Sequence, residues 1–325
     1  MNSQPEDGKR VPKERLNEFV AQIATLAGLP KDRAALLAGF LVANDLRGVF
    51  SHGTLQIATY GRLMRDGVLN SKPDVAVVKE TPVSLLVDGD GGLGYFPAHD
   101  GTQRIISKAL ETGIAVMASR NHGHFGAAGV YARMPLKHDL ITFVTSGHQL
   151  NLQPGDALFS AAGGSPMAFS APGLESAPLV VDFGCMHDLY ASEPHRDEVA
   201  KLTPGLVLRS IGLGEICQTW GGFLSGLGLD PAKRPWTWKG ANQGALVICF
   251  RIDLFGDPGQ FKKEVDDYAE RIRLLSPLPQ FSESYMAGAV EAARESEYAE
   301  RGIPVGPEHL KTLNDLAAEF GVAEL

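Results

Sequence analysis

Two histidines one residue apart, His122 and His124, stand in "SRNHGHFGAAGVYARM", between an apolar run and a glycine-rich turn. A third, His52, lies in "FSHG". Imidazole titrates near neutral pH, so it can give a proton to a carbonyl oxygen and take it back in the reverse direction. The histidine pair and His52 are therefore candidates for that chemistry. On a strand, residues i and i+2 share a face, which would let His122 and His124 form half of a metal site. Gly123 between them and the missing third ligand argue against that, and no metal is expected. The plainer alternative is that a histidine beside glycine hydrogen-bonds a turn.

The elements that must hold these residues can be read from the hydrophobic pattern. "KERLNEFVAQIATLAGL" places Leu16, Phe19, Val20, Ile23 and Leu26 at helical spacing. A second amphipathic helix opens after Pro30 and should end near Gly48, and a third runs from Thr54 to Gly67. The character changes at "DVAVVKETPVSLLVDGDGGLG", where β-branched runs are broken by turn residues. Next come a helix ("PAHDGTQRIISKALETG"), the strand "IAVMAS", the histidine turn, another helix and the strand "LITFVTSG". "APLVVDFG" and "GALVICFRIDLFG" read as two later strands. The C-terminal quarter returns to helix, the last one opening after Pro307. The first ten or so residues, polar and rich in Gly and Pro, are expected to fray. Helix, mixed sheet, helix is the order of a chain whose two ends pack on a central α/β body.

Composition narrows the function. The 325 residues carry 30 Lys+Arg against 38 Asp+Glu, a net charge of −8, which argues against a dominant phosphate-binding surface and hence against nucleic acid. A small basic pocket for an anionic metabolite stays open. Cys185, Cys217 and Cys249 are far apart and show no CxxC spacing, so they read as buried, reduced thiols. "MNSQPEDGKRVPKER" has no apolar core of signal type, and "ALVICF" is too short to span a bilayer. A soluble cytoplasmic protein is expected.

"GDGGLG" matches G-x-G-x-x-G through Gly89, Gly91 and Gly94, after a strand and before a helix. That is the form of a dinucleotide fingerprint. The next strand, however, runs into "RNHGH" without an Asp or Glu for a ribose, so the segment reads as a structural turn.

Taken together, these segments resemble the type-2 malate/lactate dehydrogenase family of NAD(P)-dependent oxidoreductases. "RGVFSHGTLQIATYGRLMRDG" is similar to that family's Arg-Gly-x-x-Ser-His-Gly segment, and "VDGDGGLGYFPAH" to its Asp-Gly-x-x-Gly-x-Gly turn. "IAVMASRNHGHFGAAGVYA" resembles its most distinctive stretch, "SPMAFSAPG" and "PLVVDFG" its following segments, and "ERGIPVGPEHLKTLNDLAAEFGV" its C-terminal helix. The resemblance implies an α/β (α+β) fold: a mixed, largely antiparallel, non-Rossmann sheet flanked by a helical domain built from both termini. Residues 1–75, 76–255 and 256–325 would be its N-terminal helical part, sheet body and C-terminal helices. It implies a homodimer, a small-molecule substrate and NAD or NADP. By position it gives His124 and His52 catalytic roles and places Ser51, Gln56, Arg47, Arg120 and His122 at the substrate. Cofactor contacts would fall on His148, Ser165, Asp182, Gly184 and Gly214.

The chain also departs from that pattern. Gln56 stands where the family usually has an arginine suited to gripping a carboxylate, and Phe50 replaces an acid. Leu213 in "GLGEICQTWGG" takes the place of a lysine expected to neutralise cofactor phosphate, and Ala289 that of a glutamate. Pro154-Gly155-Asp156-Ala157 and Gly163-Gly164-Ser165-Pro166 differ from the family's turns, and "CMHDLYASEPHRDEV" is unlike it. The leading expectation is hydride transfer to or from a small 2-oxo, 2-hydroxy or imino acid, with weak cofactor affinity. The alternatives are a non-redox isomerase, lyase or decarboxylase that keeps the histidines, or a catalytically silent partner.

Overall fold

Pro12 and Pro30 stand immediately before the first two helices, where a missing N–H leaves no hydrogen bond unmade. This computed structural model describes residue 5 and residues 7–234 and 236–325. The chain divides into two compact units: the stretch up to Pro73 together with Ala269–Leu325, and Asp74–Tyr268.

The first unit opens with β1 (Lys9–Val11), α1 (Lys13–Leu26), α2 (Lys31–Leu46) and α3 (Ile57–Arg65). Leu16, Phe19, Val20 and Ile23 are buried as their spacing predicts, while Leu26 is exposed. The third helix begins later than expected. Between α2 and α3 the chain makes two 3-10 turns, Phe50–His52 and Thr54–Gln56, hinged at Gly53.

The second unit holds β2 (Ala76–Thr81), β3 (Ser84–Asp88), α4 (Tyr95–Thr112), β4 (Ile114–His122), α5 (Ala128–Arg133) and β5 (Leu140–His148). It continues through β6 (Pro166–Ala171), β7 (Leu179–Gly184), α6 (Arg196–Leu202), α7 (Pro204–Ile216), β8 (Gln243–Arg251) and the start of α8 (Pro258–Arg273). A π-helical turn, Cys217–Gly222, extends α7. The strands form one sheet in the order β2-β3-β4-β8-β5-β6-β7. Only β3–β4 is parallel; the other five neighbours pair antiparallel. The sheet is thus mixed and largely antiparallel, the form the resemblance implies. β8 lies at its centre, and its Ala245, Leu246, Val247 and Cys249 are buried, as befits a strand covered on both faces.

The chain then returns to the first unit with α9 (Ala289–Arg301), β9 (Ile303–Val305) and α10 (Pro307–Phe320). β9 pairs antiparallel with β1, Lys9 opposite Val305 and Val11 opposite Ile303. Lys9 and Arg10, expected to fray, are therefore in a strand. The C-terminal boundary also differs from the expected 255/256, because α8 belongs to the sheet unit as far as Tyr268. Lys262 Nζ bonds Asp139 at 2.9 Å, and the Asp266 carboxylate accepts the N–H groups of Leu174, Glu175 and Ser176.

Candidate active site

Strand register gathers the sequence-predicted residues of the sheet unit at one end of the sheet. His122 at the end of β4 and His148 at the end of β5 both lie opposite Gln243, the first residue of β8 between them. Strands in a sheet are spaced about 4.8 Å apart, so the two ends are separated by roughly 10 Å. Asp88 of β3 lies opposite Arg120, and Pro166 at the start of β6 opposite Gly184 at the end of β7. Arg120 to His124, His148, Ser165 and Gly184 therefore share one edge, although up to 64 positions separate them in the sequence.

The "GDGGLG" segment supports that edge. Gly89, Gly91 and Gly94 donate their N–H groups to the carbonyls of Arg120, Asn121 and His124, while Gly92 accepts from Gly123 N. The amides a diphosphate would need are engaged in holding the histidine segment, so this is a structural turn. Asp88 completes the support: its carboxylate accepts from Arg120 Nε at 3.0 Å, Asn121 Nδ2 at 2.7 Å and Asp90 N at 3.0 Å. Asn121 turns the chain with a left-handed φ of 54°.

His122 is corrected from the expected substrate contact. It has no exposed surface; its Nδ1 donates to Gly123 O at 2.7 Å, and its Nε2 accepts from Ser119 Oγ at 2.9 Å. With both nitrogens used, it has none left for substrate or metal. Burial pushes its pKa down to about 4, so it is neutral at neutral pH. His124 is half-buried, and buried Phe125, stacked on Tyr131, anchors the chain directly after it. Arg120 has its Nε on Asp88, leaving the Nη edge of its guanidinium for other contacts.

The expected cofactor residues converge on the turn Ala162–Ser165. Gln218, which the sequence reading missed, clamps it: its Oε1 accepts from His148 N at 3.1 Å and its Nε2 donates to Ala162 O at 3.2 Å. Ser165 is buried with a left-handed φ of 46°, and its hydroxyl donates to Ala162 O. Strain of this kind persists where surrounding structure holds it, and it clusters at functional sites. Gly163 must be glycine, because its φ is 62° and a Cβ would overlap the His148 ring. Gly164 is exposed, with only that ring near the place of a side chain. Gly214 is buried, and a Cβ there would overlap Ala162, so its role is to let α7 press on the turn rather than to touch a ligand. Asp182 has one oxygen on Gly129 N at 2.9 Å, which anchors α5. Cys185 N donates to Ser165 O, and the Cys185 thiol hydrogen-bonds that of Cys217, drawing the Cys217 pKa down. The fold thus joins two cysteines that are remote in sequence.

These residues fit the ring and ribose portions of a dinucleotide. Half-buried Gly163 and exposed Gly164 offer a flat surface beside His148, whose pKa burial lowers. Leu213, at the expected lysine position, is 40% exposed and offers no charge for a phosphate.

The first unit carries the other histidine. Ser51 Oγ lies 3.0 Å from His52 Nδ1, Gln56 Nε2 donates to Ser51 O at 2.7 Å, and Asn44 Nδ2 donates to His52 O at 2.9 Å. Below this turn Asp45 is fully buried; its Oδ2 accepts from Thr54 N and Thr54 Oγ1, and Thr54 Oγ1 lies 3.0 Å from His309 Nε2. Asp45, Thr54 and His309 had no signal in the sequence, since α10 supplies the last from 255 positions away. Arg47 is corrected from the substrate set. Its guanidinium makes a two-bond pair with Glu295 of α9 at 2.8 and 3.0 Å and so crosslinks two helices.

Comparison with known proteins bears on the family and the fold. The model of the family described as Malate/L-lactate dehydrogenase matches residues 11–186 and 197–314. The unmatched stretch between them includes Tyr190, whose hydroxyl donates to Gly164 O at 3.2 Å. The malate dehydrogenase of Pyrococcus horikoshii is 28% identical across 97% of each chain. The L-sulfolactate dehydrogenase of Methanocaldococcus jannaschii is 26% identical across 98% of this chain and 97% of its own. The solved structure of the Pyrococcus horikoshii enzyme superposes with a TM-score of 0.86 at 26% identity, covering 100% of this chain and 99% of that one. The chain belongs to the malate/L-lactate dehydrogenase family.

Proposed function

We propose that this protein is an NAD(P)-dependent oxidoreductase that interconverts a small 2-hydroxy acid and its 2-oxo acid, or reduces the corresponding imino acid. The observation that carries the reading is the single sheet edge where the histidine segment ends β4 and His148, packed beside the glycine turn, ends β5 two strands away. When bound, the nicotinamide would exchange hydride with the substrate carbon. His124 gives the carbonyl oxygen its proton in the reductive direction and removes it in the oxidative one. Arg120 presents charge to the substrate carboxylate through its Nη edge. Gly163, Gly164 and His148 would hold the cofactor, on a turn that buried Ser165 supports. In the helical unit, His52, with Ser51 and Gln56 beside it, is a second candidate substrate-contacting group. The redox reading is preferred to a non-redox one because the glycine turn keeps its supports, Gln218, Ser165 and Gly214.

Exposed Leu202, Leu206 and Leu208 on α6 and α7 are apolar surface that a second copy would cover, and a cytoplasmic homodimer completes the proposal. The test is steady-state turnover of malate, lactate and sulfolactate with NAD⁺ and NADP⁺, followed by nicotinamide absorbance. His124→Ala should lower kcat on the order of 10²–10⁴-fold while leaving cofactor binding intact. Substrate conversion in the absence of any nicotinamide would overturn the assignment, and so would an unchanged kcat in the variant.

A further inference from the structure

Asp45 is a fully buried carboxylate that the proposed chemistry does not use. One oxygen, Oδ2, takes both donors of Thr54, at 3.1 Å from N and 2.5 Å from Oγ1. The other, Oδ1, is buried without a hydrogen-bond partner among the described residues. It lies so close to Gly53 that a Cβ there would overlap it. Gly53 and Thr54 directly follow His52, whose own carbonyl is held by Asn44, the residue before Asp45. The end of α2 therefore grips the histidine turn from both sides.

We propose that Asp45 is a positioning residue for His52: it fixes the Gly53–Thr54 backbone that aims the imidazole, and a proton shared along Asp45, Thr54 and His309 sets how firmly it does so. This rests on His52 as a substrate-contacting group. Two hydrogen-bond arrangements are open to the row. With Asp45 ionised, Oδ2 accepts from Thr54 N and Thr54 Oγ1, and Thr54 Oγ1 accepts from His309 Nε2–H. With Asp45 protonated by one proton taken up from solvent and neutral His309 in its Nδ1–H tautomer, Oδ2–H donates to Thr54 Oγ1, whose own proton turns to His309 Nε2. The backbone N–H of Thr54 then faces a hydroxyl oxygen rather than a carboxylate, and charge-assisted hydrogen bonds are roughly twice as strong as neutral ones. The turn is held more loosely in that state.

The exchange falls in a useful pH range. Burial raises the Asp45 pKa to about 7, with the two Thr54 bonds opposing it, and burial lowers His309 to about 4. Burial and the two Thr54 bonds are the influences on Asp45, and burial is the influence on His309; no other charged group among the described residues acts on either. The grip tightens as pH rises through 7.

The experiment compares wild type with Asp45→Asn and Asp45→Ala. Asn keeps an oxygen for Thr54 N but cannot titrate, and it serves where the alanine variant fails to fold. Histidine-labelled protein is followed by NMR from pH 5 to 9, the His52 signal being assigned by its loss in His52→Ala. The expected result is an inflection near pH 7 in the His52 signal of wild type, additional to the one an imidazole shows by itself, that vanishes in Asp45→Asn, with kcat/KM losing its matching pH dependence. Asp45→Ala should lower kcat/KM about 10- to 100-fold, the scale of a misplaced catalytic geometry, with Asp45→Asn restoring most of it at pH 8. A His52 signal in Asp45→Asn with the same pH course as wild type overturns the proposal. The NMR readout follows His52 whether or not it serves turnover, so a failure of the functional reading shows separately, as full activity in His52→Ala.

Discussion

Acid should unfold the sheet unit through His122, and the structure sets the size of the effect. The imidazole is buried without exposed surface, with both nitrogens hydrogen-bonded in the neutral form, and its pKa falls from 6.5 to about 4. Because the folded value is depressed, the unfolded chain binds the proton first as pH drops. Stability is intact above 6.5, declines below it, and stops declining below about 4. At 1.36 kcal/mol per pKa unit, the loss between pH 7.5 and pH 4 is about 3 kcal/mol from this one residue. That is a large part of the 5–15 kcal/mol typical of a folded domain. Trp220, Trp236 and Trp238, the only tryptophans, all lie in the same unit, so their fluorescence reports its unfolding. Urea denaturation at half-unit steps from pH 4 to 8 should give a falling curve for wild type. His122→Asn cannot charge; it should be less stable at pH 7.5, because Ser119 and Gly123 lose a partner, yet should lose about 3 kcal/mol less on going to pH 4. Parallel curves for the two proteins would refute the burial argument.

Asp45 carries the opposite sign: its folded pKa is raised from 3.8 to about 7, so the stability it contributes is full below 3.8 and is lost as pH rises through 7. Asp45→Asn should therefore gain on wild type by up to about 4 kcal/mol between pH 4 and pH 8, read by thermal melting at each pH; a pH-independent difference would contradict it. Leu213→Lys should tighten NADH or NADPH binding, since a charge-assisted hydrogen bond is worth about 1.5–3 kcal/mol, or roughly 10- to 100-fold in Kd. Calorimetry decides this, and an unchanged Kd would show that α7 does not face the phosphates.

Much of the fold was legible because its signals are local. Helical spacing of Leu16, Phe19, Val20 and Ile23 and the apolar run of β8 depend on neighbours within a few residues, which a linear pattern records. The turn chemistry of "GDGGLG" was also readable, since the fingerprint lacked its acidic partner; the structure adds that its amides serve Arg120, Asn121 and His124. The three-residue strand β9 was not, because a pattern of that length is fixed only by β1, almost three hundred positions earlier.

The candidate site divides in the same way. The resemblance singled out His124, His52, His148 and Ser165 as candidates by their positions in the family's segments. Sequence could not separate His122 from His124: two residues apart, they differ only in that one points into the packed turn and the other stays half-exposed. Nor could it show that Arg47 is spent on Glu295, that Gln218 clamps His148 to Ala162, or that His309 reaches Thr54. A hydrogen bond depends on atoms within about 3 Å of one another, and only tertiary packing brings distant segments that close. The sequence by itself determined which side chains could do the chemistry and which elements would carry them. The tertiary structure alone decided which of those side chains are already committed to holding the fold, because burial and partner distance, rather than residue type, set whether a histidine or an arginine has a nitrogen to spare.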